Sequence, residues 1–170
     1  SAATAARWLR STPGLDYEAV GELLGHHGEG EIEVMHAYMG LFDFGGLSFD
    51  GALRLFLGGF RLPGEAQKID RLMEAFAARY CACNEGVFQS QDAAYILAFA
   101  VVMLNTDLHS PSLDDHMALD DFVAMTTSGE ESAGLPREML EEIYTSIRDN
   151  EISMSGGGIA ESAPAAPRAA

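Results

Sequence analysis

The chain is poor in cysteine and basic residues and has no long apolar run. Its 170 residues include 2 cysteines, Cys81 and Cys83, and 10 Lys+Arg against 26 Asp+Glu, for a formal net charge of −16. A single C-x-C pair does not staple a secreted scaffold, and no second Cys/His pair stands at zinc-finger spacing. Both cysteines therefore read as reduced thiols of a cytosolic or nuclear protein. The acidic balance excludes a surface built for nucleic acid or anionic membrane, and suits a basic partner surface or plain solubility. The longest apolar run, Ala93 to Leu104 with Tyr95 inside it, is too short to span a bilayer. No basic segment followed by an apolar one opens the chain, so no signal peptide is expected.

Chemical motifs are missing as well. There is no G-x-x-x-x-G-K-[ST] loop, no H-E-x-x-H, no G-x-S-x-G and no EF-hand loop. No cofactor or metal is expected. The histidines His26, His27, His36, His109 and His116 are scattered. His36, beside an apolar stripe, reads as half-buried and satisfied; His109 reads as bonding the backbone of its turn. No Ser or Cys nucleophile stands at a telling position, so covalent catalysis is disfavoured and an interaction module is favoured.

What is present is helical patterning throughout, with 48% hydrophobic and 21% charged residues, enough for one domain with a real core. Ala2 to Leu9 reads as weakly helical, broken by Pro13 and Gly14. Asp16 is a cap for a short helix that Gly25 stops, and His26 to Gly30 reads as a loop. Ile32, Met35, His36, Met39 and Phe42 mark a third helix. Ser48 caps a fourth, carrying Phe49, Ala52, Leu53, Phe56 and Leu57. The centre is Phe60 to Tyr80, FRLPGEAQKIDRLMEAFAARY. After the Pro63-Gly64 break, Ile69, Leu72, Met73, Phe76, Ala77 and Tyr80 fall at i, i+3, i+4, i+7 spacing, so one face must be buried. Glu65 stands in the loop or first turn, where an acid complements the helix N-terminus. Ser90 and Asp92 open an apolar helix from about Ala93 to Leu104, which Asn105 to Pro111, NTDLHSP, ends with turn formers. A helix around Leu119 to Met125 comes next. The last helix starts with Pro136 at its first position and carries Met139, Leu140, Ile143, Tyr144 and Ile147. The segment from residue 153 to 170, rich in Gly, Ala, Ser and Pro, is expected to be a disordered linker.

FRLPGEAQKIDRLMEAFAARYCACNEGVFQSQDAAYILAFAVVMLNTDLHSP resembles the two linked motifs of the Sec-seven domain. That domain is the exchange module for the ADP-ribosylation factor (Arf) small GTPases, and the likeness is greatest to the cytohesin type. The resemblance runs from about Leu9 to Ile152, leaving residues 1–8 as a leader or fragment edge. It implies an all-α single domain, a right-handed superhelical array of about nine to ten short helices. It implies guanine-nucleotide exchange, with the essential glutamate falling on Glu65. A groove for the GTPase switch regions falls on Asp92, Tyr95, Phe99, Ala100, Val102 and Met103. The adjoining turn adds Asn105, Thr106, Asp107, His109 and Ser110.

The implied partner is an Arf-family GTPase, GDP-bound and nucleotide-free. No nucleic acid and no direct membrane insertion are implied; a cytoplasmic monomer, recruited peripherally to Golgi, endosomal or plasma membranes, is expected. An alternative is a non-catalytic Arf-binding adaptor using the same groove, and a scaffold of unrelated function is a third reading. Three departures from the family pattern stand out. The turn reads LHSP where the family usually has LHNP, which shortens the side chain at Ser110. The family usually has one more helix before the stretch matching Leu9. Phe99-Ala100 replaces the Tyr-Ser of members sensitive to brefeldin A, although Asp107 and Met117 match the sensitive pattern; reduced sensitivity is expected.

Overall fold

The computed structural model describes residues 1–153, and the stretch expected to be a disordered linker lies outside them but for Ser153. The described residues form eight α-helices and no strand. They are α1 (Ala2–Ser11), α2 (Tyr17–Leu24), α3 (Glu29–Gly40), α4 (Phe49–Leu57), α5 (Ala66–Cys83), α6 (Gln91–Leu108), α7 (Leu119–Thr126) and α8 (Arg137–Asp149). The all-α class is as expected; the number of helices is slightly below the nine to ten anticipated.

Local chemistry sets most of the boundaries. Asp16 accepts from the backbone N–H groups of Glu18 and Ala19 at the head of α2, and Gly25 closes it. Ser48 accepts from the Gly51 N–H at the head of α4. Ser90 does the same for Ala93 at the head of α6. Each supplies an oxygen to a donor that the helix itself leaves unpaired. Gly86, with φ of 82°, makes the left-handed turn between α5 and α6 that a side chain would strain.

Five expectations need correction. Helix α1 is regular from Ala2 to Ser11 rather than weakly helical, because it packs along α3 and buries Ala6. Helix α3 begins at Glu29, so Glu29 and Gly30 are not loop, and His36 on it is exposed rather than half-buried. Pro136 precedes α8 as its cap residue. Most consequentially, α6 continues one turn past Leu104 to Leu108. The turn-forming side chains there are engaged instead: the Thr106 hydroxyl donates to the Val102 carbonyl (3.1 Å), and Asn105 faces inward. Tertiary bonding has overridden local propensity.

The core is aromatic and centred on Phe76 of α5. Its ring lies 5.3 Å from Phe44, 5.5 Å from Phe49 and 5.5 Å from Phe56. Phe56 in turn stands edge-on to Phe60 at 5.0 Å. Rings at these separations combine large apolar burial with favourable edge-to-face electrostatics. The expected stripe Leu72, Met73, Phe76, Ala77 and Tyr80 is buried, while Ile69 is half-buried.

One buried charge closes the other side of the domain. Arg54 of α4 is 3% exposed and donates to the carbonyls of Ser146 (3.2 Å), Asn150 (2.6 Å) and Glu151 (3.2 Å). Asp50, one turn earlier, accepts from the Ser146 hydroxyl at 2.6 Å and lies 3.8 Å from Arg54. Burial pulls the Arg54 pKa down and Asp50 pushes it back up. The arrangement satisfies the carbonyls at the end of α8 and fastens that end to α4. Arg54→Ala removes the cation and strands Asp50. A loss of about 3–5 kcal/mol in urea unfolding is expected, and a loss below about 1 kcal/mol would show that the network is not structural.

Candidate functional site

Glu65 is the cap residue of α5, with extended backbone (φ −92°, ψ 130°). Its carbonyl accepts from the N–H groups of Lys68 (3.0 Å) and Ile69 (3.1 Å), so the helix starts correctly without its side chain. The carboxylate bonds none of the free N–H groups. It points outward, 72% exposed, with its Oε1 3.6 Å from the ammonium of Lys68. Lys68 is already bonded to Glu22, so its longer pairing with Glu65 is secondary and leaves that carboxylate available to a competing charge.

The turn that presents Glu65 is far more constrained than its exposed carboxylate. At its start, Phe60 is fully buried among Phe56 and Tyr38. The Arg61 N–H then donates to the Tyr17 carbonyl at 3.0 Å. The Arg61 carbonyl presses so closely on α2 that a Cβ at Gly21 would lie 1.8 Å from its oxygen. One turn along α2, a Cβ at Gly25 would lie 2.8 Å from Lys68 Cβ and 3.2 Å from the buried Pro63. Gly21 and Gly25, at i and i+4, form a bare strip that admits the turn. Lys68, the only lysine in the chain, hydrogen-bonds Glu22 of α2, which raises its pKa. Arg71 donates to the Gly25 carbonyl. The presenting turn is thus held at both ends and pressed flat in the middle.

Beside it lies α6, whose two faces differ. Ala93, Ala94, Leu97, Ala98, Val101 and Leu104 are buried. Asp92, Tyr95, Phe99, Val102, Met103 and Thr106 are exposed or half-exposed, and Met103 reaches 52%. These recur at three and four residues and form one continuous stripe. Tyr95 and Phe99 stack edge-on at 5.1 Å. The Tyr95 hydroxyl donates to Asp70 of α5, which ties the stripe to a point about 7–8 Å along the α5 axis from Glu65.

The remaining predicted residues sit differently. Ala100 is 5% exposed and lies on the inward face. Asn105 is buried: its Nδ2 donates to the Ile152 carbonyl at 3.0 Å, and its Oδ1 accepts from the Ile152 N–H at 2.8 Å. His109 Nε2 lies 2.6 Å from the Ile147 carbonyl, a bond to α8 rather than within its own turn. Asp107 accepts from the Met117 N–H at 2.5 Å, and the Ser110 and Ser112 hydroxyls lie 3.0 Å apart. Asp107 and Ser110 are half-buried. Asn105 and His109 brace the last turn of α6, one against Ile152 just past α8 and the other against α8 itself. Cys81 and Cys83 are free thiols, and burial raises the Cys81 pKa. Sequence reading gave Gly25 only the role of a helix stop and assigned no part in the site to Gly21, Lys68, Asp70 or Arg71. The available signal was the G-x-x-x-G spacing of GELLG in α2.

An exposed acid beside a half-exposed apolar stripe is an arrangement suited to contact with another protein. The family model of the Sec7 domain matches residues 1–152, and the chain belongs to that family. It is 53% identical over 144 residues to cytohesin-2 of Homo sapiens, covering 85% of this chain and 36% of that protein. It is 48% identical over 149 residues to brefeldin A-inhibited guanine nucleotide-exchange protein 2 of Arabidopsis thaliana, covering 88% of this chain and 8% of that protein. Among solved structures, the Sec7p catalytic domain superposes with a TM-score of 0.83 at 46% identity, covering 89% of this chain and 80% of that one. A Sec7 domain bound to ARF1-GDP and complexed with brefeldin A gives 0.80 at 37% identity, covering 91% and 78%. The chain thus spans about a third of the human relative and under a tenth of the plant one.

The clamp on the presenting turn is directly testable. Gly21→Ala should displace Arg61, abolish hydrogen-exchange protection of the Arg61 amide and cost about 1–3 kcal/mol. Gly30→Ala, within α3 where a Cβ meets nothing within 4 Å, should keep that protection and cost no stability. Retained protection in Gly21→Ala would show that the turn is not pressed onto α2.

Proposed function

We propose that this domain accelerates GDP release from an Arf-family GTPase, with Glu65 as the working group and the α6 stripe as the holding surface. The observation that carries the reading is Glu65 itself: an exposed carboxylate at a helix start that caps nothing, on a turn packed closely against α2. In Arf, GDP is held through Mg²⁺ and a P-loop lysine on the phosphates. A carboxylate brought into that site repels the β-phosphate, competes with it for the lysine and excludes Mg²⁺. Two unit charges about 4 Å apart at an effective dielectric near 20 interact by about 4 kcal/mol. At about 1.4 kcal/mol per decade, that corresponds to a roughly thousandfold change in dissociation.

The holding energy comes from apolar burial. Met103, Phe99 and Val102 take the switch side chains of the GTPase, and the exposed area at Met103 makes it the natural anchor. Asp92, Tyr95 and Thr106 border the same stripe, and Asp107 and Ser110 stand where it meets the adjoining turn. Ala100, Asn105 and His109 act from behind by shaping α6 and its end. Reduced sensitivity to brefeldin A belongs to this reading, because neither Phe99 nor Ala100 offers a hydroxyl. Membrane recruitment falls to the GTPase or to other parts of a longer protein; among the described residues no helix is long and apolar enough to cross a membrane.

The test is GDP release from an Arf with the parent domain and with Glu65→Lys. The parent should accelerate release strongly, and the charge reversal should fall to near the intrinsic rate while unfolding at a similar temperature. Equal exchange by both would overturn the glutamate's role, and Arf binding by the parent without acceleration would select the adaptor reading. Dose-dependent inhibition by low-micromolar brefeldin A would overturn the expected insensitivity.

A further inference from the structure

A polar cleft lies apart from Glu65 and the α6 stripe. It has a volume of about 310 Å³ and opens between the end of α1 with the loop after it, α2, α3, and Gly58-Gly59 at the end of α4. Its lining is unusual for this chain. The sequence holds 26 Asp+Glu, yet none lines the cleft, while Arg10 does. Arg54, Arg61, Lys68, Arg137 and Arg148 each face a carboxylate, and Arg71 and Arg79 each donate to a backbone carbonyl. Arg10 has neither kind of partner among the described residues; its guanidinium carbon rests 4.1 Å from the centre of the Phe42 ring.

Tyr38 forms the back of the cleft. It is 1% exposed, and its ring is fixed edge-on against Phe42 (5.5 Å) and Phe60 (6.3 Å). Its hydroxyl has no hydrogen-bond partner among the described residues and stands where a Cβ on Gly59 would lie 2.6 Å away. The ring is buried, but the hydroxyl is not sealed in, since no buried side-chain polar atom among the described residues lacks a partner; it opens to the cleft and presents an O–H donor there. Burial pushes its pKa up to about 12, which keeps it a donor at neutral pH. Thr12 and Tyr17 add hydroxyls at the mouth, and Leu15 and Val20 supply apolar wall.

We propose that this cleft binds a small organic carboxylate, the oxyanion on Arg10 and the Tyr38 hydroxyl and the apolar body against Leu15 and Val20. A single guanidinium suits a single negative charge, and the −16 background weighs against a phosphate dianion. Two donors fixed by ring packing lose little freedom on binding, which favours recognition by a preorganised site.

The probe is benzoate, titrated into the folded domain and followed by amide chemical shifts, with benzamide and phenyl phosphate as comparators. Benzoate should give saturable shifts at the residues lining the cleft and bind at least about tenfold more tightly than either comparator. Tyr38→Phe removes only the hydroxyl and should weaken benzoate about tenfold; Arg10→Met should weaken it further. Absence of saturable shifts at the cleft, or equal binding of benzamide, would overturn the proposal without needing either variant. An undiminished affinity in a folded Tyr38→Phe would overturn the assigned donor. Phenyl phosphate binding more tightly than benzoate would overturn the preference for a single charge.

Discussion

Everything about the proposed working group depends on how closely one turn of backbone approaches one helix. The Arg61 carbonyl lies where a side chain at Gly21 would have to be, and Lys68 and Pro63 occupy the space that Gly25 leaves open. Those glycines cost α2 some helix propensity. The return is a turn whose position is set by hard contact rather than by weak bonds. Phe60 in the aromatic core and Arg71 on the end of α2 fix the chain on either side of it. An exposed carboxylate on a flexible loop would lose much of its electrostatic effect to reorganisation, whereas one on a pinned turn delivers it at a defined point.

The same division between rigid support and exposed chemistry runs through α6. Its inner face is apolar and rich in alanine, which brings it close to the rest of the core, and its outer face carries the stripe on which Met103 is most exposed among the large apolar side chains. Its last turn is braced from behind by the reciprocal pair of bonds between Asn105 and Ile152 and by His109 on α8. Arg54 fastens the end of α8 to α4. A series of side chain-to-carbonyl bonds therefore braces α6 from the side opposite its exposed stripe.

Much of the fold was legible because it is written in local chemistry. Asp16, Ser48 and Ser90 mark helix starts, and the spacing of Leu72, Met73, Phe76 and Tyr80 marks the buried face of α5. The illegible part depends on contacts far apart in the chain. The NTDL segment reads as a turn until Asn105 is seen to bond Ile152, and the helix then runs on to Leu108. His36 looks half-buried by spacing, yet the neighbouring elements leave its side of α3 open. At the site, the residues themselves were named by resemblance, but the reason Glu65 stays put was not. Lys68 and Arg71 look like the solvated face of an amphipathic helix, and only the fold places Glu22 and the Gly25 carbonyl opposite them.

The central claim separates two jobs: the α6 stripe holds the GTPase, and Glu65 expels the nucleotide. The most direct measurement is the rate of GDP release from an Arf against increasing concentration of the domain, for the parent and for Glu65→Gln. Loss of a group that acts only at the nucleotide should lower the maximal rate about a hundredfold or more and leave the half-saturating concentration within about threefold. A variant that keeps the maximal rate but needs far more domain to reach it would contradict the account, because Glu65 would then be part of the grip.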